Sequence, residues 1–363
     1  MLSSSPWITP FRLTRSFRVG RSLLLGWALL TAPAAWAGDN TGLGPLSVTH
    51  FFPPALPYLS FIPEQTGITP TGKWRLHYQY AVSNTFINTE GTAMTPGAAP
   101  TFPTTGYRAY IDLEMTRHQV SLRYGLSERL EAGLDMAWVN LGGGNLDANI
   151  VGFEHLVGGA NPLRSLQAQN GFDYYLMHNN VWLTSTSKPA HGMPQDPVLS
   201  LKWAVARQSE AFPAISLKLA YKIPAGSTAT LASSGREDYG YYLLMTKQIG
   251  SLVAHIQGGF SVLAADHTHF ASHVWSQTFA VEFPSGPETA WIFQIVSNSS
   301  LFNDDTRTIS GAQSFISRPT DLFIFGHKYQ GKTFSFDYGL IEDYNQYQNE
   351  ADFTAFTSMG WTW

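Results

Sequence analysis

Residues 73–83 read KWRLHYQYAVS, and this stretch decides the fold. Apolar and polar side chains alternate along it. The apolar members are Trp74, Leu76, Tyr78, Tyr80 and Val82, and the polar members are Lys73, Arg75, His77, Gln79 and Ser83. Successive side chains of a β-strand point to opposite faces. A period of two sustained over the whole stretch therefore predicts a strand with one apolar and one polar face.

The same alternation returns along the chain, and no segment after residue 37 has a convincing helical period. We therefore predict an all-β chain with about twelve strands, an even number that is typical of bacterial outer-membrane barrels. The predicted strands are 73–84, 107–125, 129–139, 197–207, 213–224, 239–248, 252–264, 272–283, 289–299, 318–329, 332–343 and 351–363.

The connections between these strands are mostly short and long in turn. Tight turns lie at 125–129, 248–251, 284–287 and 330–332, and long loops at 85–106, 140–197, 225–238, 301–317 and 344–350. This order predicts a closed antiparallel up-and-down transmembrane β-barrel with short periplasmic turns and long extracellular loops. Residues 174–187 are strand-like, but counting them breaks the up-down parity. We assign them to loop 140–197, with an extracellular extension of the wall as the alternative.

Composition excludes several classes of protein. Of 363 residues, 44% are hydrophobic, 14% aromatic and 13% charged, and the formal net charge is −4. A chain this rich in aromatic residues and poor in charge is not disordered. It has no basic excess to bind nucleic acid. It also has no apolar run of the roughly 18 to 20 residues that a membrane-spanning helix needs.

The first 37 residues have the pattern of a cleaved secretory signal peptide. Four arginines precede a short apolar run at 23–30, and Ala35-Trp36-Ala37 forms a small-x-small cleavage site. We expect residues 38–72 to form a periplasmic or lumen segment and residues 73–363 to form the barrel. The chain has no cysteine, which excludes a disulfide scaffold and a lipid anchor on an N-terminal cysteine.

The last strand ends on alternating Met359, Trp361 and Trp363. It resembles the C-terminal signal that the outer-membrane assembly machinery reads, so we expect that machinery to be a partner through Trp363. Trp and Tyr residues near other strand ends suit interfacial girdles. The expected location is the outer membrane of a Gram-negative bacterium, among outer-membrane lipid and lipopolysaccharide.

Several motifs resemble a family of exported proteobacterial barrels, the domain of unknown function 3187. They are Gly44-Pro45-Leu46-Ser47-Val48, Ile111-Asp112-Leu113-Glu114, the run at 123–131 (RYGLSERLE), the run at 142–155 (GGGNLDANIVGFEH), Asn161-Pro162-Leu163-Arg164, the run at 196–202 (DPVLSLK) and Glu342-Asp343. In this chain Glu154 separates Phe153 from His155, where the family pattern has Phe and His adjacent. The resemblance implies an outer-membrane barrel and no known activity.

The polar faces of the predicted strands carry both signs of charge. The candidate lumen-lining residues are Lys73, Arg75, Asp112, Glu114, Arg123, Glu131, Asp135, Lys202, Lys218 and Lys222, with Glu282, Lys328 and Asp337 on later strands. Lys202, Lys218 and Lys222 come from adjacent strands and form the one candidate basic stripe. Two interpretations stay open: a path for anions, which a wall of one sign would favour, or lysines that pair with acids.

Catalytic and metal sites are weakly indicated. A lipase that resembles outer-membrane phospholipase A would place a Ser two residues after a His on one strand face, and no His-x-Ser occurs. His267, His269 and His273 lie near one predicted loop at spacings that match no closed metal site. We expect no catalytic residue, cofactor or metal. The leading function is a structural or passive small-solute channel. A lipid-acting enzyme and a secreted glycan-binding β-sandwich are the alternatives.

Overall fold

The computed structural model describes residues 42–91, 94–148, 150–152, 169–228, 231–303, 316–343 and 349–363, so the predicted signal peptide lies outside the described residues. Within these ranges, one antiparallel sheet contains fifteen strands. They are β1 Trp74–Asn88, β2 Tyr107–Gly125, β3 Leu130–Gly142, β4 Asp173–His178, β5 Val181–Thr186, β6 Ala190–Pro194, β7 Val198–Ala206, β8 Ala214–Lys222, β9 Asp238–Ile249, β10 Leu252–Val262, β11 His273–Gly286, β12 Thr289–Asn298, β13 Thr320–Gln330, β14 Phe334–Asp343 and β15 Phe353–Thr362. No helix in the described ranges is long and apolar enough to cross a bilayer.

The sheet closes on itself because β1 pairs with both β2 and β15. Twelve strands form the closed ring, in the order β1-β2-β3-β7-β8-β9-β10-β11-β12-β13-β14-β15. The predicted barrel and its strand number are confirmed. The alternative of a β-sandwich is wrong, since a sandwich has two sheets with free edges and this ring has none.

Residues 174–187, assigned to loop 140–197 from the sequence, lie largely in the sheet. They form most of the hairpin β4–β5, and β4 pairs with Tyr107–Asp112 of β2. The two turn residues Asn179 and Asn180 both have positive φ, 48° and 63°, as a type I′ hairpin turn requires. Because β2 has 19 residues, it is longer than β1 and β3, and its first residues offer a free edge to the hairpin. The wall therefore extends beyond the ring, which is the alternative left open by the sequence.

The two ends of the barrel differ. The short connections 126–129, 207–213, 250–251, 287–288 and 331–333 lie at one end, together with the start of β1 and the end of β15. We call this the short-turn end. The described parts of the connections 89–106, 143–197, 223–237, 263–272, 299–319 and 344–352 lie at the other end, which we call the loop end.

The outside of the ring is an apolar band. Its exposed large side chains include Met136, Leu199, Leu201, Leu219, Leu243, Ile256, Phe279, Phe293, Ile295, Leu340 and Met359, with Trp74, Trp138, Trp203, Trp291 and Trp361 among the aromatic members. A continuous apolar outer surface of this extent is a lipid-facing surface.

The inside of the barrel is not uniformly polar. Ile292, Val296, Leu322 and Ile324 of β12 and β13 are buried on the inner face, next to outward-facing aromatic residues. They belong to a core cluster that also contains Leu46 and its neighbours from the segment that precedes β1. An apolar inner wall is stable only if something apolar packs against it, and here the chain's own N-terminal segment does so.

The closed ring predicts a gel-mobility change. We expect the unheated protein to migrate differently from the boiled protein in SDS, because a ring without free strand edges resists unfolding by detergent until heated. The measurement is electrophoresis of one folded sample with and without boiling. Identical mobilities would contradict a closed, detergent-resistant barrel.

Candidate lumen site

Residues 42–72, which we call the lumen segment, enter the barrel at the short-turn end. The Glu282 carboxylate accepts hydrogen bonds from the backbone N–H of Leu43, at 2.9 and 3.0 Å, and of Gly44, at 3.2 Å. The Lys328 ammonium donates to three successive carbonyls, those of Leu43, Gly44 and Pro45, at 3.3, 3.4 and 2.8 Å. Two inward charges therefore hold the backbone at the point of entry.

The lumen segment turns back at the loop end. A short 3-10 turn, Pro53–Ala55, is fully buried there. Just before it, the Phe52 ring lies 6.0 Å from the ring of Phe302, and just after it, the Tyr58 ring lies 5.3 Å from that of Phe270. Both partners belong to loop-end connections. The segment is thus a hairpin whose apex packs under the loops.

The descending leg returns to the short-turn end with its backbone bound to wall side chains. Asp238 accepts from the Leu59 N–H at 2.9 Å. Gln257 both accepts from the Glu64 N–H, at 3.1 Å, and donates to the Glu64 carbonyl, at 2.6 Å. Glu131 accepts from the Thr69 N–H at 2.6 Å. These bonds satisfy backbone groups that no strand partner satisfies.

The leg leaves the lumen over Gly125, the last residue of β2. A Cβ on Gly125 would lie 2.2 Å from the Pro70 carbonyl oxygen and 2.4 Å from that of Thr69, so only glycine fits. The chain then enters β1 directly. In all, ten of the twelve ring strands contact the segment through polar side chains in the described ranges. The contacting residues are Gln79, Arg123, Glu131, Lys202, Ser216, Lys222, Asp238, Gln257, Glu282, Gln294 and Lys328.

Glu64 of the descending leg lies among three wall cations, and we call these four residues the Glu64 cluster. Its carboxylate oxygens lie 2.8 Å from Lys218, 3.6 Å from Lys202 and 3.7 Å from Arg123. Lys202 and Lys218 face each other across β7 and β8. Like charges in directly opposite positions destabilise a sheet, and the carboxylate of the lumen segment removes that repulsion.

Lys222 forms a second ion-pair cluster near the loop end. Its ammonium lies 2.8 Å from Asp238 and 3.5 Å from Asp196, and all three side chains are buried. The same ammonium donates to the Pro57 carbonyl of the lumen segment and, at 2.7 Å, to the Ser234 hydroxyl. Here too a wall lysine binds both an acid and the segment.

The candidate basic stripe is therefore made of paired lysines. The nearest carboxylate lies 3.0 Å from Lys202, on Glu131, and 2.8 Å from Lys218 and from Lys222. Of the two interpretations of the stripe, this geometry fits pairing with acids. A role of the three lysines in the passage of anions stays a prediction.

The other candidate lumen residues lie at several depths. Arg123 and Asp135 form a buried ion pair at 2.9 Å. Asp112 and Glu114 are buried on the part of β2 nearer the loop end, and the Glu114 carboxylate accepts from the backbone N–H of Leu146.

Two candidates lie at the short-turn end. Lys73 is exposed just before β1, and Arg75 is half-buried at the start of β1. The structure thus brings Arg123, Glu131, Asp135, Lys202 and Lys218 into one neighbourhood, and leaves Lys73, Asp112 and Glu114 outside it.

A serine, a histidine and a carboxylate join the two legs. The Ser60 hydroxyl lies 3.0 Å from His50 Nε2, and His50 Nδ1 lies 3.4 Å from Glu350. Serine hydrolases use this order of groups. The cavity that all three residues line has a volume of about 30 Å³, and a neighbouring one beside His50 and Ser60 has about 70 Å³. Both are far below the roughly 300 Å³ at which ligand pockets begin. In the closed lumen the arrangement links the ascending leg, the descending leg and the loop end.

His269 and His273 of the predicted loop contact other protein side chains. His269 Nδ1 lies 2.8 Å from Nδ1 of His178, whose ring stacks on Tyr107. His273 contacts the hydroxyl of its neighbour Ser272 at 3.1 Å. Among the residues that the structure describes, no group of three or more His, Cys, Asp or Glu side chains is placed to hold a metal ion.

The sequence did not single out Glu64, although this residue joins three wall cations. It lies in a stretch with no period of two or of 3.6, where side-chain direction cannot be inferred from spacing. One signal was present: Glu64 is the first acidic residue after Asp39 in a segment otherwise rich in proline and aromatic residues. A lone acid in an apolar segment beside a basic stripe is a candidate partner for that stripe.

A family comparison assigns the chain. The sequence model of the family described as "Protein of unknown function (DUF3187)" matches residues 22–363. The chain belongs to the DUF3187 family. A search among curated proteins finds no match for this DUF3187 protein.

Several solved structures of outer-membrane proteins are similar to this chain. The crystal structure of the COG4313 outer membrane channel from Pseudomonas putida F1 has a TM-score of 0.52 and 12% identity, covering 82% of this chain and 98% of that one. A NanC porin structure has a TM-score of 0.41 and 8% identity, covering 80% of this chain and 98% of that one. The translocator domain of the autotransporter NalP from Neisseria meningitidis has a TM-score of 0.40 and 6% identity, covering 81% of this chain and 89% of that one. At such identities the likeness is one of fold, and the first structure shows that this DUF3187 protein has the barrel fold of an outer membrane channel.

Proposed function

We propose that this protein is a passive, non-catalytic channel for small solutes in the outer membrane of a Gram-negative bacterium, closed by its own lumen segment. The short turns face the periplasm and the long loops face outward, as in other bacterial barrels. The observation that carries the proposal is the filling of a channel-type barrel by residues 42–72. A solute passes when this segment moves aside.

The way in which the segment is held supports a movable closure. The segment forms no strand of the sheet. The described wall holds its backbone through polar side chains, while Leu46 and Phe51 pack in the apolar cluster with β12 and β13. Water can take over such bonds when the segment moves, since exposed groups hydrogen-bond to solvent. Both legs end at the short-turn end, so the hairpin can withdraw toward the periplasm without threading past a loop.

The decisive experiment fixes the segment to the wall. Gln79 of β1 donates to the Ser47 carbonyl at 3.0 Å, and the natural chain has no cysteine. Cysteines placed by Ser47→Cys and Gln79→Cys, joined by a reducible thiosulfonate cross-linker, should hold the ascending leg in place. We expect single-channel openings in planar lipid bilayers to be lost on cross-linking and restored by reductant.

The control is the single variant Ser47→Cys treated with the same reagent, which should keep its openings. Cross-linked protein that conducts as well as reduced protein would contradict the proposed closure. A reduced double variant and a native chain that both fail to conduct at any voltage would contradict the channel role itself.

A further inference from the structure

A second cavity, of about 270 Å³, lies at the short-turn end between the lumen segment and the wall. We call it the mouth cavity. Five basic side chains, two carboxylates and His77 line it. The basic residues are Arg75, Arg123, Lys202, Lys328 and Lys332, and the acidic residues are Glu64 and Asp337. The lining itself has an excess of three positive formal charges. Asp135 and Glu131, which lie outside it, pair with Arg123 and Lys202, so the excess rests on Arg75, Lys328 and Lys332.

Arg75 differs from the other basic residues of this cavity in its contacts. It is half-buried at the start of β1, directly opposite Arg123 of β2 and Thr362 of β15. The charge of Arg123 is neutralised by Asp135 at 2.9 Å and by Glu64 at 3.7 Å. Arg75, by contrast, has no hydrogen bond or ion pair in the described ranges, although the Glu131 carboxylate is near enough to attract it.

Such an arrangement is costly unless something compensates it. A guanidinium presents five N–H donors and is always charged. Partial burial with no acceptor costs free energy, and so does the position directly across the sheet from a second arginine. An anion in the cavity would relieve both costs.

Two lysines increase the positive electrostatic potential around Arg75. Lys332, in the turn between β13 and β14, is exposed and has no ion pair within the described part of the chain. Lys328 uses its protons on the three carbonyls of the lumen segment and lies 4.0 Å from Asp337, so its charge is only partly neutralised. Cations around one cleft with low-dielectric walls concentrate anions in that cleft.

We propose that the mouth cavity binds a small soluble anion that carries two or more carboxylate or phosphate groups. This assignment names the solute class of the proposed channel and in that sense rests on the proposed function. The Arg75 guanidinium binds one acidic group in the bidentate manner that suits carboxylate and phosphate, and Lys332 binds the second. The volume admits a solute of a few carbon atoms, smaller than a drug-sized ligand.

The Glu64 cluster shows that a carboxylate fits the inner side of the same cavity. There a protein carboxylate already lies within 3.7 Å of Arg123, Lys202 and Lys218. The outer side, around Arg75 and Lys332, has similar chemistry. Its acid, Asp337, lies 4.0 Å from Lys328, and neither Arg75 nor Lys332 has an ion pair among the described residues. A carboxylate of the solute there takes the place that Glu64 takes on the inner side.

The test measures citrate binding to the full-length, detergent-folded protein by titration calorimetry, with glycerol as the neutral comparison. We expect citrate to bind and glycerol not to bind. Arg75→Gln should weaken citrate binding at least fivefold, whereas Arg75→Lys, which keeps the charge, should weaken it less. The matched control is Arg129→Gln, which removes an exposed arginine at the same end, outside the cavity, and should leave the affinity unchanged.

Each variant is first checked for the mobility change on boiling, so that an unfolded sample is not scored. Equal citrate affinities of the native chain and Arg75→Gln would overturn the proposal, and so would the absence of citrate binding to the native chain. Because binding is measured on the closed protein, failure here leaves the channel role untouched. Failure of the cross-linking experiment leaves citrate binding untouched.

Discussion

Glu64→Gln is expected to convert a mostly closed barrel into a mostly open one. The substitution keeps the size of the side chain and removes the charge that lies 2.8 Å from Lys218. Lys202 keeps its ion pair with Glu131, at 3.0 Å, and Arg123 keeps its ion pair with Asp135, at 2.9 Å. The buried Lys218 ammonium therefore loses the most ion-pair stabilisation. Removing one partner of a buried ion pair costs about 3 kcal/mol or more. At 1.4 kcal/mol per factor of ten, the displaced state gains about a hundredfold in population.

The measurement is the open probability of single channels in planar bilayers, compared between native and variant protein at equal voltage. The control is Glu128→Gln, which removes an exposed carboxylate from the turn between β2 and β3 and should leave the open probability unchanged. An open probability of Glu64→Gln equal to that of the native chain would show that the Glu64 cluster does not hold the segment in the lumen.

The second large effect is expected from Asp238→Ala, at the loop end. Asp238 is fully buried, lies 2.8 Å from Lys222 and accepts from the backbone N–H groups of Leu59 and Ala264, each at 2.9 Å. Its removal leaves the N–H of buried Leu59 and that of half-buried Ala264 without this acceptor. It also leaves Asp196, at 3.5 Å, as the remaining carboxylate beside Lys222 among the described residues. We expect the free energy of unfolding to fall by about 3 kcal/mol.

A double substitution separates the two causes. Lys222→Met added to Asp238→Ala removes the uncompensated charge and should restore at least about 1 kcal/mol, since residues in direct contact couple. Asp238→Asn keeps an acceptor oxygen and should cost less than Asp238→Ala. The measurement is denaturant unfolding of the protein in lipid vesicles, with Glu210→Ala, an exposed carboxylate of the turn between β7 and β8, as the control. A single Asp238→Ala variant with a native unfolding midpoint would refute the assignment of Asp238 as a buried anchor.

Much of the barrel was predictable because lipid imposes a simple pattern on one face. Each strand must present apolar residues at every second position, and this rule placed β2 at 107–125 and the last strand within two residues of its observed start. The even number of strands followed from the order of short and long connections. Both features depend on local sequence alone.

The contents of the lumen could not be predicted in the same way. The lumen segment has no regular period, because its backbone bonds go to side chains of nine different strands in the described ranges. Its presence does leave a trace: Leu322-Phe323-Ile324-Phe325 is apolar at successive positions, as in a strand buried on both faces. A barrel strand with such a run has apolar material on its inner side.

For the charged residues, the face of the strand was predictable and the partner was not. Alternation placed Lys202 and Lys218 on the inner face, where they are found buried. Their pairing with Glu64, far away in sequence, depends on how the segment crosses the lumen, and no local pattern encodes that. The position of Arg75 was predicted from the period of β1, but its lack of a partner emerges only from the contacts of the neighbouring strands.

The closure of β1 on β15 has a consequence for the order of assembly. Arg75 pairs with Thr362, so the ring joins residues that the chain separates by most of its length, and contacts of such high sequence separation form late. The lumen segment leaves the ribosome before every strand, yet its apolar residues Leu46 and Phe51 gain their surroundings only once the last strand is in place. During biogenesis the first part of the barrel chain to be made is thus the last to be buried, and until then it needs protection from aggregation.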